Sequence, residues 1–208
     1  MEEHNERVAE QSGEVRRDAT WVVLAQRGDA DAFQQLFLAY QRPVYAIALR
    51  MMGNAEDAAD LTQETFVRAY RQLNHLRAGE TFGRWIRVIV TNLCRDHLKR
   101  VRPTVYSLDA PPPGMDSLSS WELPSSAPNA EDMLISAEFR TAIAQGLATL
   151  SPDFRAVVVL HHIDDQPVEE IGRILKIPIG TVKSRLARAR AHLRRYLESY
   201  LQTSELSL

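Results

Sequence analysis

The sequence predicts an all-α protein of two helical domains joined by an acidic, proline-rich linker, and three observations carry that expectation. Apolar residues recur at three- and four-residue spacing over two stretches, 19–102 and 133–202, which is the period of an amphipathic helix. Between them, six of the ten prolines (Pro103, Pro111, Pro112, Pro113, Pro124 and Pro128) gather in residues 103–132. That segment is rich in Ser and Asp, and no basic residue occurs between Arg102 and Arg140. Tandem prolines and polar residues favour extended backbone over packed elements. No alternating strand pattern and no internal repeat is visible.

The elements follow in order. Residues 1–18 are polar and low in large apolar side chains, and read as a mobile tail. Asp29 and Asp31 stand where a helix begins. The helix that follows carries Phe33, Leu36, Phe37, Tyr40, Val44, Ile47, Ala48 and Met51 on its packed side. Gly53-Asn54 is a stop and turn. A second helix, AEDAADLTQETFVRAYRQL, a short loop, NHLRAGETF, and a third helix, GRWIRVIVTNLCRDHLKRV, complete the first domain. In the second domain Ser151-Pro152 opens a helix, since proline is tolerated in the first turn. SPDFRAVVVLHHIDD is expected to pack Val157, Val158, Leu160 and Ile163. Residues 203–208 read as a disordered tail.

Composition removes several function classes. The chain is 45% hydrophobic and 25% charged, which suits a soluble globular protein. Its net charge is −2, so a nucleic-acid binder with this balance must segregate its charges. The single cysteine, Cys94, excludes an internal disulfide and a Cys-rich zinc cluster, and suits a reducing cytoplasm. The N-terminus lacks the apolar stretch of a signal peptide. No run approaches the ~20 apolar residues of a membrane helix, so membrane insertion is not expected. No phosphate-binding loop, metal cluster or nucleophile motif appears, so neither an enzyme nor a cofactor is expected. His161 and His162 are adjacent on a helix and point about 100° apart, a poor chelating pair, so they read as structural.

Residues 167–195, PVEEIGRILKIPIGTVKSRLARARAHLRR, have the form of a helix-turn-helix. Val168, Ile171, Ile174 and Leu175 mark the buried side of the first helix, and Lys176-Ile177-Pro178 the turn. On the second helix Val182, Leu186, Ala189 and Leu193 share one face. Ser184, Ala187, Arg188, Ala191 and Arg195 lie opposite, flanked by Lys183 and Arg185. Seven Lys/Arg and no acid lie between Lys176 and Arg195. A recognition helix needs these features: an apolar side to dock it and a slim cationic side for phosphates and base edges.

The first domain offers two faces of opposite sign. Ala55 to Glu64 carries Glu56, Asp57, Asp60 and Glu64 with no base, and Asp57, Asp60 and Glu64 share a helix face. Such a face favours a cationic protein partner. Gly83 to Arg102 carries Arg84, Arg87, Arg95, Lys99, Arg100 and Arg102 against Asp96 alone. Trp85, Ile86, Ile89, Val90, Leu93 and Leu98 supply its packed side. Asn92, Arg95, Asp96, Lys99 and Arg100 supply a hydrogen-bonding side suited to backbone and unpaired bases.

AEDAADLTQETFVRAYRQL followed by FGRWIRVIVTNLCRDHLKR resembles the core-binding and promoter-melting helices of bacterial extracytoplasmic-function sigma factors. LSPDFRAVVVLHHIDDQPVEEIGRILKIPIGTVKSRLARAR resembles their promoter-binding C-terminal domain, and the likeness covers about residues 20–200. DLTQETF is its most discriminating block, because GTVKSRL is similar to text found in response regulators. The resemblance implies a factor that binds core RNA polymerase through its largest and second-largest subunits, directs it to promoter DNA and helps melt it. It places contact with the coiled coil of the largest subunit on Asp57, Asp60, Gln63 and Glu64. It places reading and melting of the −10 element on Arg84, Asn92, Arg95, Asp96, Lys99 and Arg100, and a flipped-base pocket on the loop His75 to Phe82. It places −35 recognition on Thr181, Lys183, Ser184, Arg185 and Arg188. It implies a polymerase-channel path for the acidic linker and, in many relatives, restraint by an anti-sigma factor. The helix-turn-helix alone leaves a stand-alone transcription regulator as the alternative.

Overall fold

The computed structural model describes residues 18–77, 81–101 and 141–205, and no strand occurs among them. Residues 1–17 and 206–208 of the expected tails, the expected linker and the middle of the expected base pocket lie outside the described residues. Contrary to expectation, residue 18 opens the first helix and residues 203–205 continue the last helix, which runs to Glu205. The helices are α1 (18–26), α2 (Ala30–Met52), α3 (Ala55–Gln72), α4 (Phe82–Val101), α5 (141–149), α6 (Pro152–His162), α7 (Val168–Leu175) and α8 (Ile179–Glu205).

Local chemistry sets most of these bounds. Asp29 caps α2, its side chain accepting the Ala32 amide at 3.1 Å. A cap of this kind contributes about 1 kcal/mol. Gly53 ends α2 in the left-handed region at φ 83, which glycine enters without a β-carbon penalty. Asn54 then caps α3 by accepting the Asp57 amide at 2.8 Å. Leu73–His75 forms a short 3-10 turn where the sequence pattern ran from helix straight into loop. The i to i+3 bonds tighten the helix end and satisfy carbonyls the α-helix leaves open.

Helices α2, α3 and α4 pack on one another, as do α6, α7 and α8. In the first group Leu36, Val44, Ile47, Met51, Leu61, Phe82, Ile86 and Val90 are buried. In the second, Val157, Leu160, Ile171, Ile174, Val182, Leu186 and Ala189 are buried, so the expected docking stripe of the recognition helix is in place. Ile163 departs from expectation: it is 38% exposed, because α6 ends at His162 and the chain leaves the helix face there. Gly172 sits where α7 meets the turn; a β-carbon there would stand 3.1 Å from the Ile177 carbonyl oxygen. No helix among the described residues is long and apolar enough to cross a membrane.

The two groups are docked together. Helix α6 lies against α2 and α4, and α7 lies against α4, so the buried residues of both groups form one continuous cluster. Arg155, 3% exposed, fastens the junction. Its guanidinium donates to the Met51 carbonyl at the end of α2 (2.5 Å) and to the Ala148 and Leu150 carbonyls of its own group (2.8 and 3.2 Å). A cation at a helix C-terminus also meets the negative end of the helix dipole.

Cys94 is fully buried, and burial pushes its thiol up to about 12. The thiolate is the reactive form. The native protein is therefore expected to resist iodoacetamide at pH 8 and to label promptly once unfolded in urea. Equal labelling rates in the two states would contradict the burial.

Candidate nucleic-acid interface

Acids of α6, of α7 and of the turn between them engage Arg84, Arg87, Arg95 and Lys99 on the cationic side of α4. Arg87 grips Asp164 with two bonds, Nε to Oδ2 at 2.5 Å and Nη2 to Oδ1 at 3.1 Å. Arg84 Nε lies 2.7 Å from Glu170 Oε1. Arg95 binds Asp153 Oδ1 through Nε at 2.7 Å and through Nη2 at 2.5 Å. Lys99 Nζ stands 3.9 Å from the same oxygen. From the recognition helix, Arg185 Nη2 stands 3.9 Å from Asp153 Oδ2, with its guanidinium 6.0 Å from the Phe154 ring centre.

Two of these carboxyls are shifted in opposite directions. Burial acts to raise Asp153, but the hydrogen bond and charge of Arg95, with the charges of Lys99 and Arg185, outweigh it and hold the carboxyl below its ordinary value. Asp164 is raised, because its deeper burial prevails over Arg87.

Among the expected −10 residues, Arg84 and Arg95 are thus half-buried against α7 and α6, while Lys99 stays exposed at the edge of the contact. Asn92, Asp96 and Arg100 are exposed, Asn92 accepting a long bond from Arg95 (3.4 Å) and the Asp96 carbonyl one from Arg100 (3.4 Å). Of the expected −35 residues, Lys183 and Ser184 are exposed, while Thr181, Arg185 and Arg188 are half-exposed. Ser184 donates to the Thr181 carbonyl at 3.1 Å. Lys176 closes α7 in the left-handed region (φ 55) and turns the chain into α8.

His161 and His162 sit beside this module. His161 Nδ1 contacts the Gln166 carbonyl at 3.1 Å, and Arg190 Nε donates to His162 Nε2 at 3.3 Å. Burial first, then the neighbouring His161 and Arg190, push His162 down to about 4, so this ring is neutral at pH 7.

The acidic residues of α3 border an open apolar groove. Asp60 and Gln63 are exposed, and Glu64 pairs with Arg68 one turn on at 2.5 Å. Asp57 is partly engaged in the cap, accepting from Asn54 Nδ2 at 2.7 Å. Gln63 lines the groove together with Phe33, Phe37, Tyr45, Phe66, Val67 and Tyr70. Edge-to-face pairs, Phe37 with Phe66 (4.7 Å) and Phe33 with Tyr70 (4.9 Å), hold its walls. Periodicity alone assigned Phe33 and Phe37 to the core. The signal for a groove was aromatic residues four apart on both helices, with Tyr70 left 57% exposed.

Comparison with known proteins resolves the identity of this arrangement. Residues 36–104 match Sigma-70 region 2, and residues 140–193 match Sigma-70 region 4. Over 172 residues the chain is 37% identical to the ECF RNA polymerase sigma factor SigW of Bacillus subtilis, covering 82% of this chain and 91% of that protein. This chain belongs to the extracytoplasmic-function sigma factors. It is 35% identical over 191 residues to the sigma factor SigE of Mycolicibacterium smegmatis, covering 92% of this chain and 71% of SigE. The structure of CnrH in complex with the cytosolic domain of CnrY superposes with a TM-score of 0.62 at 26% identity, covering 88% of this chain and 98% of CnrH. As a sigma factor the chain is a non-enzymatic, polymerase-binding, promoter-directing protein, which removes the stand-alone regulator. Helices α5 to α8, which include the helix-turn-helix of α7 and α8, carry its region 4, and α2 to α4 carry its region 2.

Proposed function

We propose that this sigma factor uses three separate surfaces in turn: an acidic one for polymerase and two cationic ones for the promoter. Asp57, Asp60, Gln63 and Glu64 bind the coiled coil of the largest subunit of core RNA polymerase, and the aromatic groove beside Gln63 accepts apolar side chains of the same partner. Arg84, Asn92, Arg95, Asp96, Lys99 and Arg100 read and melt the −10 element. Thr181, Lys183, Ser184, Arg185 and Arg188 read the −35 element in the major groove. Residues 19–102 and 133–202 are the two working domains, and residues 103–132 tether them along the polymerase, beside the second-largest subunit. The protein acts in the cytoplasm, where core enzyme and chromosome are. An anti-sigma factor is a further partner of the kind the family implies; CnrH, solved with the cytosolic domain of CnrY, supports a protein-bound state.

The observation that carries this reading is the segregation of charge in a chain of net charge −2: acids on α3, cations on α4 and α8. Unlike charge steers each surface to its own partner. The test is transcription in vitro with bacterial core polymerase and genomic promoter fragments. Initiation at discrete starts only when the protein is added supports it; binding to DNA with no response from polymerase overturns it.

At the mapped promoters Arg188→Ala is expected to weaken −35 binding by about 1–3 kcal/mol through loss of a base contact. Band-shift titration of the assembled holoenzyme measures it, and an unchanged midpoint removes Arg188 from the reading surface.

A further inference from the structure

We propose that the docked arrangement is an autoinhibited state, in which Asp153 stands where a DNA phosphate would and neutralises both promoter-reading helices at once. The inference rests on the assignment of α4 and α8 as the DNA-reading helices. One carboxylate contacts Arg95 and Lys99 of α4 through Oδ1 and faces Arg185 of α8 through Oδ2. Arg95 meets it with two nitrogens, both on Oδ1, so the guanidinium that would take a phosphate oxygen already holds a carboxylate oxygen. Glu170 stands against Arg84 by a single charge contact, Oε1 to Nε at 2.7 Å without hydrogen-bond alignment, while its Oε2 accepts from Arg173. Three of the six α4 residues assigned to the −10 element are therefore engaged by region 4 of the same chain. Arg84 and Arg95 cannot give their guanidinium nitrogens to a phosphate until α6 and α7 withdraw, whereas Lys99, 54% exposed, is only neutralised from one side.

The positions of the acids argue for a charge device rather than incidental packing. Asp153 lies in the first turn of α6 and Glu170 in the first turn of α7, so both helices aim an acidic end at α4. The apolar contacts and Arg155 hold the domains together, and the acids decide which surface is covered. The ion pairs at Asp153 and Arg84 are partly solvated, with side chains 16–54% exposed. Such pairs are individually weak and exchange readily for competing charges. Polymerase binding to α3 and its groove leaves them untouched, so holoenzyme assembly is free to precede opening.

The test uses the full chain with Asp153→Asn, Asp153→Asn/Glu170→Gln and, as a charge control, Glu169→Gln, an exposed acid of the same turn outside these contacts. Binding is read by fluorescence anisotropy with a mixed-sequence duplex carrying a central unpaired bubble, at fixed salt and without polymerase. Compactness is read by small-angle scattering, and folding by far-UV circular dichroism. If the open form is a minor population of about one part in ten, freeing it raises apparent DNA affinity about tenfold. The expected result is that gain for Asp153→Asn, a larger one for the double variant, a rise in radius of gyration, and little change for Glu169→Gln. Equal affinities for the parent and both latch variants overturn the proposal. So does an equal gain in Glu169→Gln, which would reduce the effect to net charge. Transcription with core polymerase is run in parallel on the parent: its absence defeats the sigma assignment, while the affinity comparison alone decides the latch.

Discussion

Replacing Asp60 and Glu64 together by lysine is expected to abolish assembly with core RNA polymerase while moving unfolding stability by less than about 1 kcal/mol. Asp60 is exposed and has no part in a cap. Glu64 gives up only its partly exposed pair with Arg68, an i,i+4 contact of about 0.3–0.5 kcal/mol. The new lysine one turn from Arg68 adds a repulsion of similar size. Against that small internal cost stands the reversal of two charges in an interface chosen for unlike charge, where like charges cost several kcal/mol. Asp57 is left alone because it supports the Asn54 cap, and changing it would mix folding with binding. Co-migration with core enzyme in size-exclusion chromatography, alongside urea unfolding of the free variant, separates the two quantities. Normal co-migration would remove the acidic face of α3 from the polymerase interface.

Arg155→Ala is expected to cost about 3 kcal/mol of stability or more. The guanidinium is 3% exposed and donates to three carbonyls. Hydrogen bonds from a charged donor contribute about 1.5–3 kcal/mol each, and acceptors left buried without a donor add their desolvation cost. Arg155→Lys keeps the charge but offers a single point of donation, so it falls between parent and alanine. Urea unfolding followed by circular dichroism measures the series. A midpoint for Arg155→Ala within about 1 kcal/mol of the parent would mean that water or a neighbour replaces the guanidinium without loss. The substitution also removes the bond to Met51, so part of the loss falls on the junction between regions 2 and 4.

Much of the local structure was legible in the sequence. Asp29, Gly53, Asn54 and Pro152 punctuate the helices where their backbone chemistry requires, and Val182, Leu186 and Ala189 bury the stripe that their spacing marks. The family likeness in DLTQETF and in the helix-turn-helix text led to the same assignment as the comparisons. The groove was less legible. Phe33 and Phe37 obey a core period, and whether such residues are covered depends on what packs above them. Arg155 was lost among the other cations, since nothing in SPDFRAVVVLHH distinguishes a buried arginine from a solvated one.

By itself, then, the sequence determined the all-helical class, the order of the elements, the sign of each helix face and the family. These follow from residues a few positions apart, where capping and periodicity act. Only the tertiary structure decided that the cationic face of α4 meets Asp153, Asp164 and Glu170 instead of solvent. Those partners are 58 and 77 residues away from Arg95 and Arg87 along the chain. No periodicity encodes such a pairing: it arises from how α6 and α7 settle on α2 and α4, where apolar burial and the Arg155 bonds set the position and the charges then fall into register.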